Sequence, residues 1–328
     1  MLQKYYRHEK NKVYYCSRTV KNKIKANTCF VWLKMIYCGI CNSDIKEIRA
    51  ERLTRKDFGH EYLAKIISAN GIELIENMFV TLDPHIKLAK RDTGFANLSY
   101  LESDKVSLNR ALHKLPSSDI SFVLVEPLAC AIHAVKRLLH SRKDYQKILI
   151  YGAGTFGYLI YCLLSVKGYH VTLANRTHER LIFLKKMNED LHINNSYGDE
   201  YDAIIFSQSF LSFTEIKKLL YKMKFCKDIL IFSAVHKTEP YNLYKIRNDE
   251  LIKSFTLYKR TIKLIGTLGA SSYDFKDAIL MLSNKFFCDM AKKIITKISS
   301  PEEGVAILNS MANGESEFGK TIIQFGME

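Results

Sequence analysis

Residues 147–157 have the sequence KILIYGAGTFG, and this segment gives the strongest indication of the fold. Its first five residues are mostly aliphatic and predict a short buried strand. The next six residues match the pattern G-x-G-x-x-G, and they are Gly152, Ala153, Gly154, Thr155, Phe156 and Gly157. Such a turn between a strand and a helix is typical of dinucleotide binding, because the amides at the helix N-terminus face the pyrophosphate. We therefore expect these six residues to bind a dinucleotide coenzyme.

The residues that follow continue the alternation of strand and helix. The predicted elements are a helix at Thr155–Lys167, a strand at Tyr169–Ala174, a helix at His178–Met187, a strand at Ala203–Phe206, a helix at Phe213–Met223 and a strand at Asp228–Phe232. This rhythm favours βαβ units and a doubly wound parallel sheet. The first 120 or so residues instead show short strand-like pieces between polar turns, which predicts a β-rich region. The fold class is therefore α/β with a second, β-rich domain.

The end of the second predicted strand bears on the choice of coenzyme. An Asp or Glu at this place would bind the ribose hydroxyls of NAD. Here Asn175 and Arg176 stand there, and neither is a carboxylate. An amide beside a guanidinium accommodates a 2′-phosphate, so the sequence favours NADP(H) over NAD(H). The simpler interpretation is that Arg176 points into water.

Three residues far apart in the chain indicate a metal site. They are Cys41 in CGICNSD, His60 in GHE and Glu126 in FVLVEPLACAIHAV. A catalytic zinc takes about three protein ligands with S, N and O donors and keeps one position open. Glu126 is a charge inside an apolar run, where an unpaired carboxylate is costly. Each residue alone has a simpler interpretation as a buried thiol or a surface side chain, so only their combination supports one zinc.

In this order the motifs resemble those of the medium-chain dehydrogenase/reductase superfamily, the zinc-dependent alcohol and polyol dehydrogenases. The resemblance extends over essentially the whole chain. It rests on residues 38–44, 59–61, 93–96 (TGFA), 126–129 (EPLA), 152–157 and 265–269 (IGTLG). It implies a GroES-like catalytic domain at residues 1–122, completed by residues 266–328, and a Rossmann dinucleotide-binding domain at residues 123–265.

The resemblance also implies roles for individual residues. Cys41, His60 and Glu126 would be the zinc ligands, Ser43 the proton-relay hydroxyl, Asp44 the carboxylate that orients the zinc-bound histidine, and Glu61 a nearby or exchanging ligand. Cys38 matches no ligand position and is expected to be a packing residue. The stretch from Thr81 to Leu98 has no cysteine, whereas many members have a four-cysteine lobe there, so we expect no structural zinc.

Two departures from the family pattern concern the outer end of the proton path and the substrate. Lys46 stands where many members have a relay histidine. The segment between the first two proposed ligands is rich in cations, namely Arg49, Arg52, Arg55 and Lys56. In the family this loop borders the substrate cleft, so these cations are compatible with an anionic substrate, although a solvated loop is the simpler interpretation.

The resemblance implies a zinc-dependent NAD(P)(H) oxidoreductase that interconverts a secondary alcohol and a ketone on a polyol, sugar, cyclitol or sugar phosphate. One alternative is an NADPH-dependent ribulose-5-phosphate reductase. A second alternative is a non-catalytic nucleotide- or nucleic-acid-binding protein on the same scaffold, suggested by the formal charge of +15.

The composition argues against several other classes of protein. The chain has 328 residues, 47% of them apolar, with 49 basic and 34 acidic side chains spread along its length. The longest apolar run, Tyr158–Val166, is far shorter than the ~20 residues of a membrane span. Eight scattered cysteines without an export signal indicate a reducing compartment. We expect a cytoplasmic homo-oligomer that acts on a small molecule, with no membrane or nucleic-acid partner.

Overall fold

The computed structural model describes residues 1–20, 28–51, 58–194, 200–315 and 317–326. Residue contacts divide the chain into two units. Unit 1 consists of Met1–Glu126, Phe275–Cys288 and Ile295–Glu328, and unit 2 consists of Pro127–Asp274 and Asp289–Ile294. Each unit therefore combines separate parts of the sequence.

The first part of the chain is rich in short strands. Its elements are β1 (Leu2–Glu9), β2 (Lys12–Thr19), β3 (Cys29–Gly39), α1 (Asn42–Ile48), β4 (Glu61–Asn70), β5 (Phe79–Leu82), β6 (Lys90–Arg91), β7 (Leu98–Ser103), α2 (Lys105–Ala111) and β8 (Leu112–Leu115), followed by a 3₁₀ turn at Ile120–Leu124.

The middle of the chain alternates between helices and strands. Its elements are α3 (Val125–Ser141), β9 (Lys147–Tyr151), α4 (Thr155–Val166), β10 (His170–Ala174), α5 (His178–Met187), β11 (Ala203–Phe206), β12 (Phe210–Leu211), α6 (Phe213–Lys222), β13 (Asp228–Ile231), β14 (Ala234–Val235), α7 (Leu243–Asn248), β15 (Ile252–Leu257) and β16 (Arg260–Gly266). The chain ends with α8 (Ser272–Ser283), α9 (Lys285–Ala291), β17 (Ile295–Ser299), α10 (Pro301–Ala312) and β18 (Lys320–Gln324).

Unit 1 is built on a β-sheet with the order β17-β18-β3-β4-β5-β8, and β7 pairs with β3 and with β6. Most of its pairings are antiparallel, but β17 and β18 run parallel. Apolar side chains that alternate along β3, such as Val31, Leu33 and Met35, are buried in the core of this unit. The sheet joins the N-terminal and C-terminal parts of the chain, because β18 pairs with β3.

Unit 2 contains a six-stranded sheet with the order β10-β9-β11-β13-β16-β15. Five of these strands are parallel, and only β15 runs antiparallel to its neighbour. The strands β9, β11 and β13 are mostly buried and mostly aliphatic, as expected for a parallel sheet covered on both faces. The predicted α/β class and doubly wound sheet are confirmed.

The edge strand β15 was not predicted from the sequence. Its residues Ile252, Lys253 and Ser254 are exposed, so the strand lacks the buried apolar pattern on which the prediction relied. Charged and polar residues are common at sheet edges because they discourage pairing with other chains. Among the described residues, no helix has both the length and the apolar character that a bilayer span requires.

A buried histidine in unit 1 makes the free energy of unfolding depend on pH in the acidic range. The ring of His113 on β8 stacks on the ring of Phe275 with centroids 4.8 Å apart. Burial, together with the nearby charge of Lys276, lowers the pKa of His113 to about 4. The neutral form is thus favoured in the folded chain, whereas the unfolded histidine titrates near 6.5.

We expect the free energy of unfolding to fall by about 3 kcal/mol on this account as the pH decreases from about 6.5 to about 4, because the unfolded state takes up a proton first. Urea titrations of the wild type and of His113→Leu over this pH range measure the effect. The difference in unfolding free energy between the two proteins should change with pH by that amount. Parallel pH profiles would contradict the prediction.

Candidate metal and coenzyme sites

Three buried side chains in unit 1 come together as a candidate metal site. One ligand atom each of Cys41, His60 and Glu61 lies within 4.8 Å of the other two. The set combines a thiol, an imidazole and a carboxylate, which are the donor types that zinc prefers. We call these three residues the cysteine–histidine–glutamate cluster.

Pairing of two neighbouring strands assembles this cluster. Cys41 follows β3 and directly precedes α1, while His60 directly precedes β4. Because β3 and β4 are antiparallel, Gly39 lies opposite Glu61. The residues around position 41 and around position 60 therefore meet at the same end of the strand pair.

Asp44 connects the two segments that carry the cluster. Its carboxylate is 1% exposed and accepts hydrogen bonds from the backbone N–H of Cys41 at 2.8 Å and of Gly59 at 2.9 Å. One of its oxygens also lies 3.8 Å from Nδ1 of His60. Burial raises the pKa of Asp44, although His60 and the two N–H groups oppose this shift. The position is compatible with the predicted role of Asp44 in orienting His60.

Sequence reasoning missed Lys320, the first residue of β18. Its ammonium contacts Oε2 of Glu61, and the two side chains are 3% and 0% exposed. Burial disfavours the charged form, but Glu61, Cys41 and Asp44 outweigh burial and raise the pKa of Lys320. Lys320 therefore supplies a buried positive charge beside the cluster. Its only sequence signal is a lysine directly before an apolar strand.

A close approach around this ion pair explains the glycine at position 39. A Cβ atom there would lie 2.8 Å from Cε of Lys320 and 3.0 Å from Oε2 of Glu61. Real Cβ atoms rarely come this close to other heavy atoms, because the van der Waals surfaces of the two atoms would overlap. A larger residue at position 39 would therefore displace the lysine or the carboxylate.

Glu126 lies near the cluster but is not grouped with it. It is 4% exposed. Burial lowers the pKa of His60, but a hydrogen bond with Cys41 and the charges of Glu126 and Asp44 outweigh burial and raise this pKa. A ligand atom of Glu126 lies within 4.8 Å of one of His85. The structure thus groups Cys41 and His60 with Glu61, and Glu126 as third ligand stays a prediction.

Ser43 presents a hydroxyl near the cluster. It lies in the first turn of α1, two residues after Cys41. Its Oγ is shielded from solvent and makes no hydrogen bond with any described residue. Both hydrogen-bonding capacities of this hydroxyl are therefore available for a substrate and a proton acceptor.

The basic segment after α1 is described only in part. Arg49 donates hydrogen bonds to the carbonyl oxygens of Ala312 at 2.8 Å and Met311 at 2.9 Å. These carbonyls end α10, where a cation is favourable. Arg49 therefore has a structural role in this fold. The other cations of the segment, Arg52, Arg55 and Lys56, lie outside the described residues.

The glycine-rich turn in unit 2 has a backbone geometry compatible with a bound dinucleotide. Gly152 has φ +126°, and a Cβ atom at Gly157 would lie 1.8 Å from the carbonyl oxygen of Gly152. Ser207 after β11 donates a hydrogen bond to that same carbonyl at 2.8 Å. Gly154 then precedes the first turn of α4, so that the helix N-terminus is open to an anion.

The residues after β10 have different roles from one another. Asn175 accepts a hydrogen bond from the N–H of Ala153 at 3.0 Å and donates one to the carbonyl of Thr177 at 2.9 Å. Its side chain therefore braces the turn, while Arg176 is exposed. Sequence reasoning missed Arg180, whose Nη1 lies 3.9 Å from the place that a Cβ of Gly154 would take. Its signal was a second arginine four residues after the first.

No family model and no curated protein matches this sequence. Solved structures do match over nearly the whole chain. A 2R,3R-butanediol dehydrogenase from Bacillus subtilis is 17% identical, with TM-score 0.71 and coverage of 99% of each chain. A galactitol-1-phosphate dehydrogenase from Escherichia coli is 17% identical, with TM-score 0.72 and coverage of 98% of this chain and 99% of that chain.

A third similar structure, described as a candidate zinc-binding dehydrogenase from Sinorhizobium meliloti, is bound to NADP. It is 16% identical, with TM-score 0.73 and coverage of 99% of each chain. In all three, the similarity includes both the β-rich unit and the parallel-sheet unit. The chain therefore has the fold of the medium-chain alcohol and polyol dehydrogenases, which contain a GroES-like unit and a Rossmann unit.

Proposed function

We propose that this protein is a zinc-dependent NAD(P)(H) oxidoreductase that interconverts a secondary alcohol and a ketone on a polyol, sugar, cyclitol or sugar phosphate. The cysteine–histidine–glutamate cluster carries this proposal, because it places a zinc-type donor set in a fold that dehydrogenases use. Fold alone does not imply function, so the proposal depends on these side chains and on the glycine-rich turn.

The residues present fit a single zinc ion. Cys41 and His60 would hold it, with Glu61 or Glu126 as the carboxylate ligand. Because Nδ1 of His60 faces Asp44, its Nε2 is the nitrogen available to the metal. Cys38 is fully buried, and burial raises its pKa well above the usual range. A thiol that resists ionisation is a poor ligand, so Cys38 is assigned to packing.

When bound, zinc would supply a Lewis acid that favours ionisation of the substrate hydroxyl, and the nicotinamide would exchange the hydride. The residues of the chain would bind and orient the substrate and move its proton. Ser43 would accept the proton of the hydroxyl at Oγ and pass its own proton outward. Asp44 would hold the His60 ring in place, and Lys320 would balance the charge of Glu61.

For the coenzyme we propose NADP(H) in preference to NAD(H). Two guanidinium groups, those of Arg176 and Arg180, lie on the segment that follows β10, and no carboxylate stands at the end of that strand. A 2′-phosphate would find positive charge there and no carboxylate at the end of the strand to repel it. The bound NADP of the Sinorhizobium meliloti structure supports a nicotinamide coenzyme in this fold.

The substrate belongs to the class of small alcohols and ketones. The butanediol and galactitol-1-phosphate dehydrogenases act on the compounds in their names, and they span neutral and phosphorylated alcohols. We also propose that the protein is a homo-oligomer in the cytoplasm. A non-catalytic nucleic-acid-binding protein would not need the three donor types of the cluster to converge.

A substrate panel tests the proposed function. We expect zinc-loaded protein to reduce NADP⁺ with at least one polyol or sugar alcohol, measured by nicotinamide absorbance, and to oxidise NADPH with the matching ketone. Titrations with NADPH and NADH should give the tighter binding for NADPH. Ribulose and ribulose 5-phosphate belong in the panel, because preference for the phosphate would favour the reductase alternative. Absence of nicotinamide binding would contradict the proposal.

A further inference from the structure

Two cations on one face of α3, His133 and Arg137, connect this helix to the residues around the ends of β15 and β16 in unit 2. His133 and Arg137 are four residues apart, so they lie one helical turn from each other. Arg137 donates hydrogen bonds to the carbonyl oxygen of Gly266, the last residue of β16, at 3.2 Å and to the carbonyl oxygen of Glu250. The helix is thus connected to the end of the strand through its side chains.

His133 connects the same helix to two carboxylates. Its Nδ1 lies 3.0 Å from Oδ2 of Asp274, and its Nε2 lies 2.7 Å from Oε1 of Glu250. Lys136 also donates to Asp274, at 2.6 Å. Hydrogen bonds to Asp274 and Glu250 raise the pKa of His133 to about 9, although burial opposes the shift. At neutral pH the ring is therefore an imidazolium that donates to both carboxylates.

Glu250 links His133 to the backbone that follows β16. Its Oε1 also accepts a hydrogen bond from the N–H of Leu268 at 3.0 Å. Glu250 itself has φ +51°, a left-handed conformation that is strained for a residue with a Cβ atom. Such strain persists where surrounding contacts maintain it, and here His133 holds the side chain while Arg137 holds the carbonyl.

The segment from Thr267 to Gly269 lies where this type of sheet binds ligands. In doubly wound sheets the ligand lies outside the carboxyl ends of the strands. The glycine-rich turn follows β9, and the residue after β10 faces the adenosine ribose of a bound dinucleotide. The nicotinamide half must then extend the other way, across β11 and β13 toward β16. Three strand spacings, roughly 14 Å, separate β9 from β16.

We propose that His133 and Glu250 are positioning residues for the nicotinamide end of the coenzyme. They act through the backbone of Leu268, a residue that is 43% exposed and offers an apolar surface to the nicotinamide ring. The inference rests on the proposed function, because it requires a dinucleotide at the carboxyl edge of the sheet. The proposed effect of His133 and Glu250 concerns only the half of the coenzyme that carries the nicotinamide.

Binding of the whole coenzyme and of a fragment tests this proposal. The fragment is 2′-phospho-ADP-ribose, which keeps the adenosine, the 2′-phosphate and the pyrophosphate but lacks the nicotinamide. We expect His133→Gln and Glu250→Gln to raise the Kd for NADPH about tenfold, while the Kd for the fragment stays within about twofold. The matched control is His140→Gln, an exposed residue on the same helix, which should change neither Kd.

The pH dependence of the Kd for NADPH supplies a second measurement, and we expect no such dependence if His133 has a merely structural role. In the wild type the Kd for NADPH should rise as the pH increases through about 9, and in His133→Gln this rise should be absent. The charged groups that face the ring are Asp274 and Glu250, with Lys136 and Arg137 beside them. The Kd for the fragment should stay flat over the same range in both proteins.

Three outcomes overturn the proposal. Equal weakening of NADPH and the fragment would show a general loss of structure in unit 2, and an unchanged Kd for NADPH would show that the connection has no effect on the coenzyme. Either result, with tight binding by the wild type, overturns this inference and leaves the proposed function intact. If the wild type binds neither NADPH nor the fragment, the proposed function fails as well.

Discussion

Cys41→Ala and His60→Ala will each remove the zinc and lower kcat/KM for alcohol oxidation by about a thousandfold or more, which corresponds to about 4 kcal/mol of transition-state stabilisation. The thiolate and the imidazole provide two of the proposed ligands, and two remaining donors rarely hold a catalytic zinc. Elemental analysis of the purified variants, together with nicotinamide absorbance on the best substrate of the panel, measures both effects.

The matched control for this experiment is Cys38→Ala. Cys38 lies three residues before Cys41, is 0% exposed and is assigned to packing. This variant should keep about one zinc per chain and most of the activity, with a modest loss of stability from the missing sulfur atom. Loss of zinc from Cys38→Ala with retention by Cys41→Ala would reverse the assignment of the two thiols.

The second large effect concerns the buried ion pair of Glu61 and Lys320. Removing one partner of such a pair leaves an uncompensated charge in the interior, which costs about 3 to 5 kcal/mol. We therefore expect Lys320→Met to lower the free energy of unfolding of the metal-free protein by this amount. Urea titration in the presence of a chelator measures it.

A double variant separates the ion pair from simple packing. Combining Lys320→Met with Glu61→Gln removes both charges, so the loss should be clearly smaller than the sum of the two single losses. Lys297→Met is the control, because Lys297 pairs with Glu317 at 3.8 Å while 46% exposed. Exposed pairs contribute about 1 kcal/mol or less. Additive losses, or equal effects at positions 297 and 320, would contradict the account.

The Rossmann part of the fold could be predicted because its signals are local. The strand Lys147–Tyr151, the glycine-rich turn and the following helix are continuous in the sequence, and hydrophobic period and glycine positions specify them. The same reasoning missed β15, whose exposed polar residues carry no such period. The coenzyme role of Asn175 stays a prediction, and in the structure this side chain braces the turn.

The candidate metal site could be predicted only in part. Cys41, His60 and Glu61 stand in short motifs, and the structure brings all three together. Lys320 could not be assigned, because its partner Glu61 lies near the other end of the chain and only the pairing of β18 with β3 brings the two close. The connection from His133 through Glu250 to Leu268 also depends on tertiary contacts that no local pattern records.

We propose that Cys41, His60 and one carboxylate hold a single zinc ion. Anomalous diffraction at the zinc absorption edge, on crystals of the purified protein, is the direct test. We expect one peak per chain within bonding distance, about 2.0 to 2.3 Å, of Sγ of Cys41 and a ring nitrogen of His60, with a carboxylate oxygen of Glu61 or Glu126 completing the set. A protein without zinc, or a peak that contacts neither Cys41 nor His60, would refute this zinc site.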